Sequence, residues 1–210
     1  MRPRLLVATR SAGKQREIRA LLATVPCEVV FPDDQGLIAL PEEAGVEDAG
    51  SFEGNARRKA EYFARRARLP TLAEDSGLEV LSLGGRPGVQ SRRFAFPPQD
   101  DPREQDRANN DELLRRLAGA PEARRRARYR AVAVFLSRFD APPKSFEGMC
   151  TGRIVASPAG SGGFGYDPLF WSDDLQKTFA QATLEEKTAV SHRGHAFRAF
   201  AAWLEQHPIG

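Results

Sequence analysis

Cysteine is nearly absent from these 210 residues: Cys27 and Cys150 stand alone, in no shared motif and at no metal-ligand spacing. Two such thiols build neither a disulfide framework nor a zinc site, and they read as buried thiols of a reducing compartment. Long apolar runs are missing as well. No stretch approaches the ~20 residues that cross a bilayer. The opening Met1-Arg2-Pro3-Arg4 leads into an apolar segment of only Leu5 to Ala8, too short for a secretory signal and read as a buried strand. A cytoplasmic chain with no membrane partner is therefore expected. Repeats and low-complexity linkers are also lacking, so residues 1–210 read as one unit. The formal charge of +3 is too small to indicate a polyanionic partner. It conceals a local run, Arg124, Arg125, Arg126, Arg128 and Arg130, with two readings: a nucleic-acid footprint, or a solvated loop entering a strand. Tyr129 is the single aromatic residue there, which does not suit stacking on single-stranded bases.

What is present suits an enclosed α/β protein. Apolar residues make up 41% of the chain, enough for a core. Strand-like and helix-like segments alternate. Arg4 to Thr9 reads as a strand, Lys14 to Ala23 as a helix and Glu28 to Phe31 as a short strand. Pro32 to Gly50 reads as a functional loop. Ser51 is placed to cap a helix reaching about Arg68, with Phe52, Ala56, Ala60, Phe63 and Ala67 as its apolar stripe. Thr71 to Ala73 and Leu78 to Ser82 read as separate extended pieces. Arg103 to Leu117 reads as a helix, Arg128 to Phe139 and Lys144 to Ile154 as a hairpin, and about Arg193 to Gln206 as the closing helix. A mixed sheet follows from βα units combined with a hairpin.

Four clusters carry chemistry. Ala8-Thr9-Arg10-Ser11-Ala12-Gly13-Lys14-Gln15 lies between strand and helix and nearly matches G-x-x-x-x-G-K-S/T, with Ala8 for the first glycine and Gln15 for the final hydroxyl. Backbone N–H groups at the helix start and Lys14 suit phosphate oxygens. With that hydroxyl gone, a metal must be held by carboxylates from elsewhere. A plain strand–helix turn with a surface lysine is the alternative. Glu74-Asp75-Ser76-Gly77 puts adjacent carboxylates at a strand's end, where α/β folds place active sites. Neighbouring strand side chains point to opposite faces, so Asp75 is expected to act as metal ligand or base and Glu74 to support it. Otherwise the segment is a surface turn.

Gly160-Ser161-Gly162-Gly163-Phe164-Gly165-Tyr166-Asp167-Pro168 concentrates glycine, which reads as close backbone approach to a ligand, with a flexible hinge as the alternative. Phe164 and Tyr166 offer rings to a base, and Asp167 can accept from ring nitrogens. The last cluster is Glu185-Glu186-Lys187 with Ser191-His192-Arg193-Gly194. Thr183 and Glu186 form a capping-box pattern, Lys187, His192 and Arg193 offer cations and donors, and His192 reads equally as a structural histidine.

In this order the clusters resemble the inosine triphosphate pyrophosphatase (dITP/XTP pyrophosphatase) family. The resemblance runs from Leu5 to the last helix. It is strongest in E-D-S-G-L-E-V with G-G-R-P-G-V-Q-S-R-R (Glu74 to Arg93), S-G-G-F-G-Y-D-P-L-F (Ser161 to Phe170) and S-H-R-G (Ser191 to Gly194). It implies a two-lobed α/β fold around a long mixed sheet, an active-site cleft between the lobes, a homodimer, and hydrolysis of deaminated purine nucleoside triphosphates to monophosphate and pyrophosphate with Mg2+. On that resemblance Thr9 to Lys14 cradle phosphate, Lys59 reaches it, Asp75 binds metal and accepts the proton, and Ser76 contacts substrate. Phe164, Gly165, Tyr166, Asp167, Lys187, His192 and Arg193 hold base and sugar. Glu47 is the second metal ligand, with Asp48 almost as suitable. Two departures stand out: Thr9-Arg10-Ser11-Ala12-Gly13-Lys14 replaces the usual T-G-N-x-G-K, and Glu74 stands where aspartate is commoner. Alternatives are a pyrophosphatase for pyrimidine or modified nucleotides, a nucleic-acid-binding module built on the arginines, and a catalytically silent nucleotide sensor.

Overall fold

The computed structural model describes residues 2–209. Its elements in chain order are β1 (Arg4–Val7), α1 (Ala12–Leu21), β2 (Glu28–Val30), α2 (Phe52–Ala67), β3 (Thr71–Val80), α3 (Pro102–Arg116), β4 (Arg126–Leu136), β5 (Lys144–Ile154), β6 (Phe170–Ser172), β7 (Lys177–Thr178), α4 (Leu184–Val190) and α5 (His192–Gln206). The strands form one mixed sheet in the order β2-β1-β3-β4-β5-β6-β7. β1 runs parallel to β2 and β3, whereas β5, β6 and β7 pair antiparallel.

The chain divides into two compact units. The first holds the chain up to Asp75, Ala131–Gly148 and the chain from Arg193 on; the second holds Ser76–Arg130 and Met149–His192. Each has its own core. In the first, Ile18 and Leu22 and, from α5, Phe197, Phe200 and Leu204 pack with Leu5, Val7, Leu72, Ala133 and Phe135. In the second, Leu113 and Leu117 pack with Leu78, Val80, Tyr129, Ile154, Phe170 and Phe179.

Local chemistry sets most boundaries. The Ser51 side chain accepts from the Gly54 N–H, capping α2, and the helix ends where Arg68 turns left-handed before Pro70. Asp101 caps α3, with Pro102 in the first turn. Thr183 and Glu186 complete the capping box of α4. Helix α1 begins two residues before Lys14, because Ser11 is its cap. The Pro32 to Gly50 segment contains two 3-10 helices, Asp33–Gln35 and Pro41–Gly45.

β3 departs most from the sequence expectation. Glu74-Asp75-Ser76-Gly77 is not a turn after a short strand but the middle of one ten-residue strand. A strand carries two adjacent acids through its interior only if their charges are met by side chains from elsewhere. The arginine run also finds internal partners: Arg125 donates to the Ala120 and Leu117 carbonyls, Arg126 pairs with Asp173, and Arg128 with Glu79.

Candidate active site

In the first unit, α1 follows β1 after a tight turn. The Ala8 N–H donates to the Leu72 carbonyl and the Ser11 N–H to Thr9 Oγ1, so Thr9 shapes the turn. Ser11 Oγ accepts from the Lys14 N–H at 3.4 Å. Ala12 and Gly13 form the first turn of the helix, where backbone N–H groups lack intrahelical acceptors. Lys14 projects from that turn, and its ammonium lies 2.9 Å from Glu74 Oε2.

Arg10 is directed elsewhere. Its guanidinium engages Glu43 at both carboxylate oxygens, pairs with Asp33 and donates to the Leu37 carbonyl. The hydrogen bond to Glu43 pushes its pKa further up and holds the Glu43 carboxyl below its ordinary range. The cation that replaces glycine in the phosphate-type loop thus braces the acidic 33–43 segment.

Helix α2 buries two polar residues among its alanines and phenylalanines, Asn55 and Lys59. Asn55 Nδ2 donates to Asp75 Oδ2 at 2.8 Å, and its Oδ1 accepts from the Ala49 N–H at 2.8 Å. One amide therefore ties Asp75 to the loop that carries Glu47. The Lys59 ammonium donates to the Glu74 carbonyl at 3.2 Å and pairs with Glu47. Asp48, the other candidate ligand, is exposed. Glu74 meets Lys14 and, at 3.1 Å, Arg193 from the start of α5. Arg193 is buried and also pairs with Glu17 of α1.

Arg193 lies among the carboxylates of the first unit, where two buried acids supply the charge that a buried guanidinium requires. Both acids raise its pKa above the ordinary arginine value against the opposing effect of burial. Glu17 and Asn55 were missed by sequence reasoning. Their signal is a polar residue on the core-facing side of an amphipathic helix.

Asp75 is buried, and burial raises its pKa; Lys14, Lys59 and the Asn55 amide act in the opposite sense, and Glu47 adds to the rise. Asp75 and Glu47 are hard oxygen donors within a cluster whose four named carboxylates (Glu17, Glu47, Glu74, Asp75) outnumber its three named cations (Lys14, Lys59, Arg193). No group of three or more His, Cys, Asp or Glu side chains gathers around a common metal position among the described residues. The donor set suits a hard divalent ion that uses one or two carboxylates and takes its remaining ligands from phosphate and water.

In the second unit, the Gly160–Pro168 segment folds tightly on its own chain. Gly160, Gly163 and Gly165 adopt positive φ of 83°, 72° and 61°. A Cβ on Gly163 would fall on the Asp167 carboxylate, and one on Gly160 on the Ala180 peptide. These two glycines thus already serve an approach of the loop to itself. Asp167 Oδ2 accepts from the Phe164 N–H at 2.9 Å and pairs with Lys187, and both charged residues are buried. The Lys187 ammonium also lies 4.8 Å from the centre of the half-buried Phe164 ring.

Two α3 residues that the sequence reading missed grip the Gly165 peptide: Asp106 accepts its N–H at 2.7 Å, and Asn110 donates to its carbonyl at 3.0 Å. Tyr166 is not placed for stacking on a ligand. It is buried in the core, and its hydroxyl donates to the Ser91 carbonyl at 2.8 Å. His192 is buried with its ring stacked on Tyr129, centroids 4.6 Å apart and planes 9° apart, and its Nδ1 lies 3.9 Å from Cys150 Sγ. Ser76 follows Asp75 on β3 and is half-buried.

Fold and site together define an α/β protein of mixed sheet in which buried strand carboxylates are set among lysines beside a helix start. The chain belongs to the Ham1 family, whose model matches residues 5–203. It is 42% identical to a dITP/XTP pyrophosphatase of Anaeromyxobacter sp. strain Fw109-5, with 96% of each chain covered. It is 46% identical to a dITP/XTP pyrophosphatase of Syntrophobacter fumaroxidans, covering 91% of this chain and 78% of that one. Among solved structures, the HAM1 protein of Coxiella burnetii superposes with a TM-score of 0.83 at 29% identity, over 97% of this chain and 99% of that one. No helix among the described residues is long and apolar enough to cross a membrane.

Proposed function

We propose that this chain hydrolyses deaminated purine nucleoside triphosphates (ITP, dITP and XTP) to the monophosphate and pyrophosphate. The observation that carries this reading is the pair of buried carboxylates in mid-strand, Glu74 and Asp75, with Lys14 and Lys59 around them. Membership of the Ham1 family and the shared name of the curated relatives support the same activity.

The first cluster is assigned to the triphosphate, the second to the base. A magnesium ion held by Asp75 and Glu47 would supply positive charge to the phosphate oxygens. Asp75, raised in pKa by burial, accepts a proton from the attacking water. Lys14, Lys59 and the N–H groups of Ala12 and Gly13 stabilise the leaving pyrophosphate. Arg193 acts at this end by holding Glu74, and Glu74 in turn holds Lys14. At the base, Lys187 and His192 donate to the 6-oxo group that inosine and xanthosine share, with Phe164 against the ring. Adenine presents an amine there, and an unpaired buried polar group costs about 1–3 kcal/mol, roughly 10–100-fold in discrimination. The enzyme is assigned to the cytoplasm as a homodimer that removes such nucleotides from the pool.

The test is product identification from ITP with magnesium, run beside dUTP, TTP and GTP. Pyrophosphate plus monophosphate, with ITP and XTP preferred, is the expected result; orthophosphate would relocate the attack, and preference for a pyrimidine would replace the substrate class. Asp75→Asn should lower turnover by roughly 10²–10⁴-fold with folding intact. Near-normal turnover would remove Asp75 from the chemistry.

A further inference from the structure

Helix α3 carries a set of amides and a carboxylate for which the reaction just described has no use. Its buried residues are Gln105, Asn109 and Leu113. Gln105 and Asn109 hold the 88–99 segment: Asn109 accepts from the Ala95 N–H at 2.8 Å and donates to the Arg92 carbonyl at 3.1 Å, and Gln105 accepts from the Gln99 N–H at 2.7 Å. Asp106 and Asn110 lie one position further on and one helical turn apart, which puts them side by side on the helix. Both turn to a single residue of the glycine-rich segment. Asp106 accepts the Gly165 N–H at 2.7 Å, and Asn110 donates to the Gly165 carbonyl at 3.0 Å. An N–H only donates and a carbonyl only accepts, so a carboxylate and an amide Nδ2 are the matching groups.

Gly165 directly follows Phe164, the ring assigned to the base. Its φ of 61° is left-handed, yet a Cβ there would meet nothing within 4 Å. Glycine is therefore needed for the path of the backbone and not for close approach. Phe164 is tied from its other side by Asp167. Its N–H donates to Asp167 Oδ2 at 2.9 Å, and its carbonyl accepts from the Asp167 N–H at 3.3 Å. All four backbone polar groups of Phe164 and Gly165 are thus bonded, two of them by α3. Without those two, the freedom of a glycine would be restored next to the ring.

We infer that Asp106 and Asn110 are positioning residues for base recognition: by holding the N–H and the carbonyl of Gly165 they fix the backbone that carries the Phe164 ring against the purine. The inference deepens the substrate reading and rests on its assignment of Phe164 to the base. Both residues act through the loop. A ring already in place binds without the cost of being ordered, so loss of the grip weakens affinity. It leaves the chemical step, assigned to the groups around Asp75, in place.

The test combines steady-state kinetics with amide hydrogen exchange on the full-length chain. Asp106→Ala and Asn110→Leu should each raise KM for ITP by roughly 3- to 10-fold, the worth of one hydrogen bond, with kcat within about twofold. Since both side chains hold the same residue, the double variant should raise KM by less than the product of the single effects. Asp106→Asn keeps an acceptor oxygen for the Gly165 N–H and should keep KM within about twofold of the unmodified chain. In Asp106→Ala the Gly165 amide should lose roughly 10-fold in exchange protection, while the Leu169 and Phe170 amides, which donate to the Tyr166 carbonyl, keep theirs.

Unchanged KM in both single variants overturns the inference. So does an Asp106→Asn chain as impaired as Asp106→Ala, because the charge and not the accepted hydrogen bond would then matter. If Asp106→Ala fails to fold, Asn110→Leu and Asp106→Asn decide by the same criteria. Phe164→Ala separates the two levels. If it raises KM for ITP while Asp106→Ala and Asn110→Leu do not, the base reading stands and the grip has no part in it. If Phe164→Ala leaves KM unchanged, the assignment of Phe164 to the base falls, and a Gly165 amide that still loses protection in Asp106→Ala marks the grip as a brace for the fold alone.

Discussion

The Cys150 thiol keeps its proton because burial opposes the thiolate more strongly than the backbone N–H groups of His192 and Tyr129 favour it, which brings its pKa to about 12. An unfolded thiol titrates near 8.5. Below that value both states are protonated and the contribution to stability is fully present. Above it the unfolded chain gives up the proton while the folded chain retains it, so stability falls as pH rises toward 12, at up to about 1.4 kcal/mol per pH unit for this one group. Denaturant melts at pH 8 and pH 10.5 should therefore show an alkaline loss that Cys150→Ser largely lacks. Equal losses in the two chains would mean that lysines and tyrosines account for the whole effect. The same protonation predicts that a thiol reagent at pH 8 leaves Cys150 unmodified until the chain unfolds.

At the scale of elements, helix α2 links a short-range signal to the site. Ser51 caps it, and one and two turns further on Asn55 and Lys59 reach Asp75 and the Glu74 carbonyl. Ser51→Ala should cost about 1 kcal/mol in urea unfolding, and fraying of the first turn should weaken the hold of Asn55 on Asp75. The variant should therefore lose turnover as well as stability, whereas Asp101→Ala, at the cap of α3, should lose stability with less effect on turnover. Such caps were legible because a cap needs only residues a few positions apart; the Thr183–Glu186 box is another example. The run of β3 through Glu74 and Asp75 was not legible. Two acids followed by Ser-Gly carry turn chemistry locally, and Lys14, Lys59, Asn55 and Arg193, brought in from three helices, help them to remain buried in a strand. Glycines of the 160–165 segment were visible as a cluster, but what they approach, Asp167 and Ala180, depends on the folded path of the loop.

At the scale of the whole molecule, a tie of very long sequence range is also deeply buried. Arg193 joins Glu17, 176 positions away in sequence, and Glu74, so that α1, β3 and α5 meet through one guanidinium. No local pattern announces such a pairing: Arg193 stands in S-H-R-G beside donors assigned to the base, and Glu17 lies in an ordinary helical stripe. Removing one partner of a buried ion pair leaves charge uncompensated at a cost of about 3–5 kcal/mol, whereas replacing the pair by apolar side chains of similar volume is often neutral. Arg193→Met should therefore destabilise the chain by that amount in denaturant unfolding, and Glu17→Leu combined with Arg193→Met should recover a large part of it, since Glu74 retains Lys14. Turnover should behave differently. The double variant regains a folded core but not the hold on Glu74, so Lys14 and the phosphate end of the site should stay misplaced and activity low. Recovery of stability and turnover together would show that Arg193 serves the fold alone.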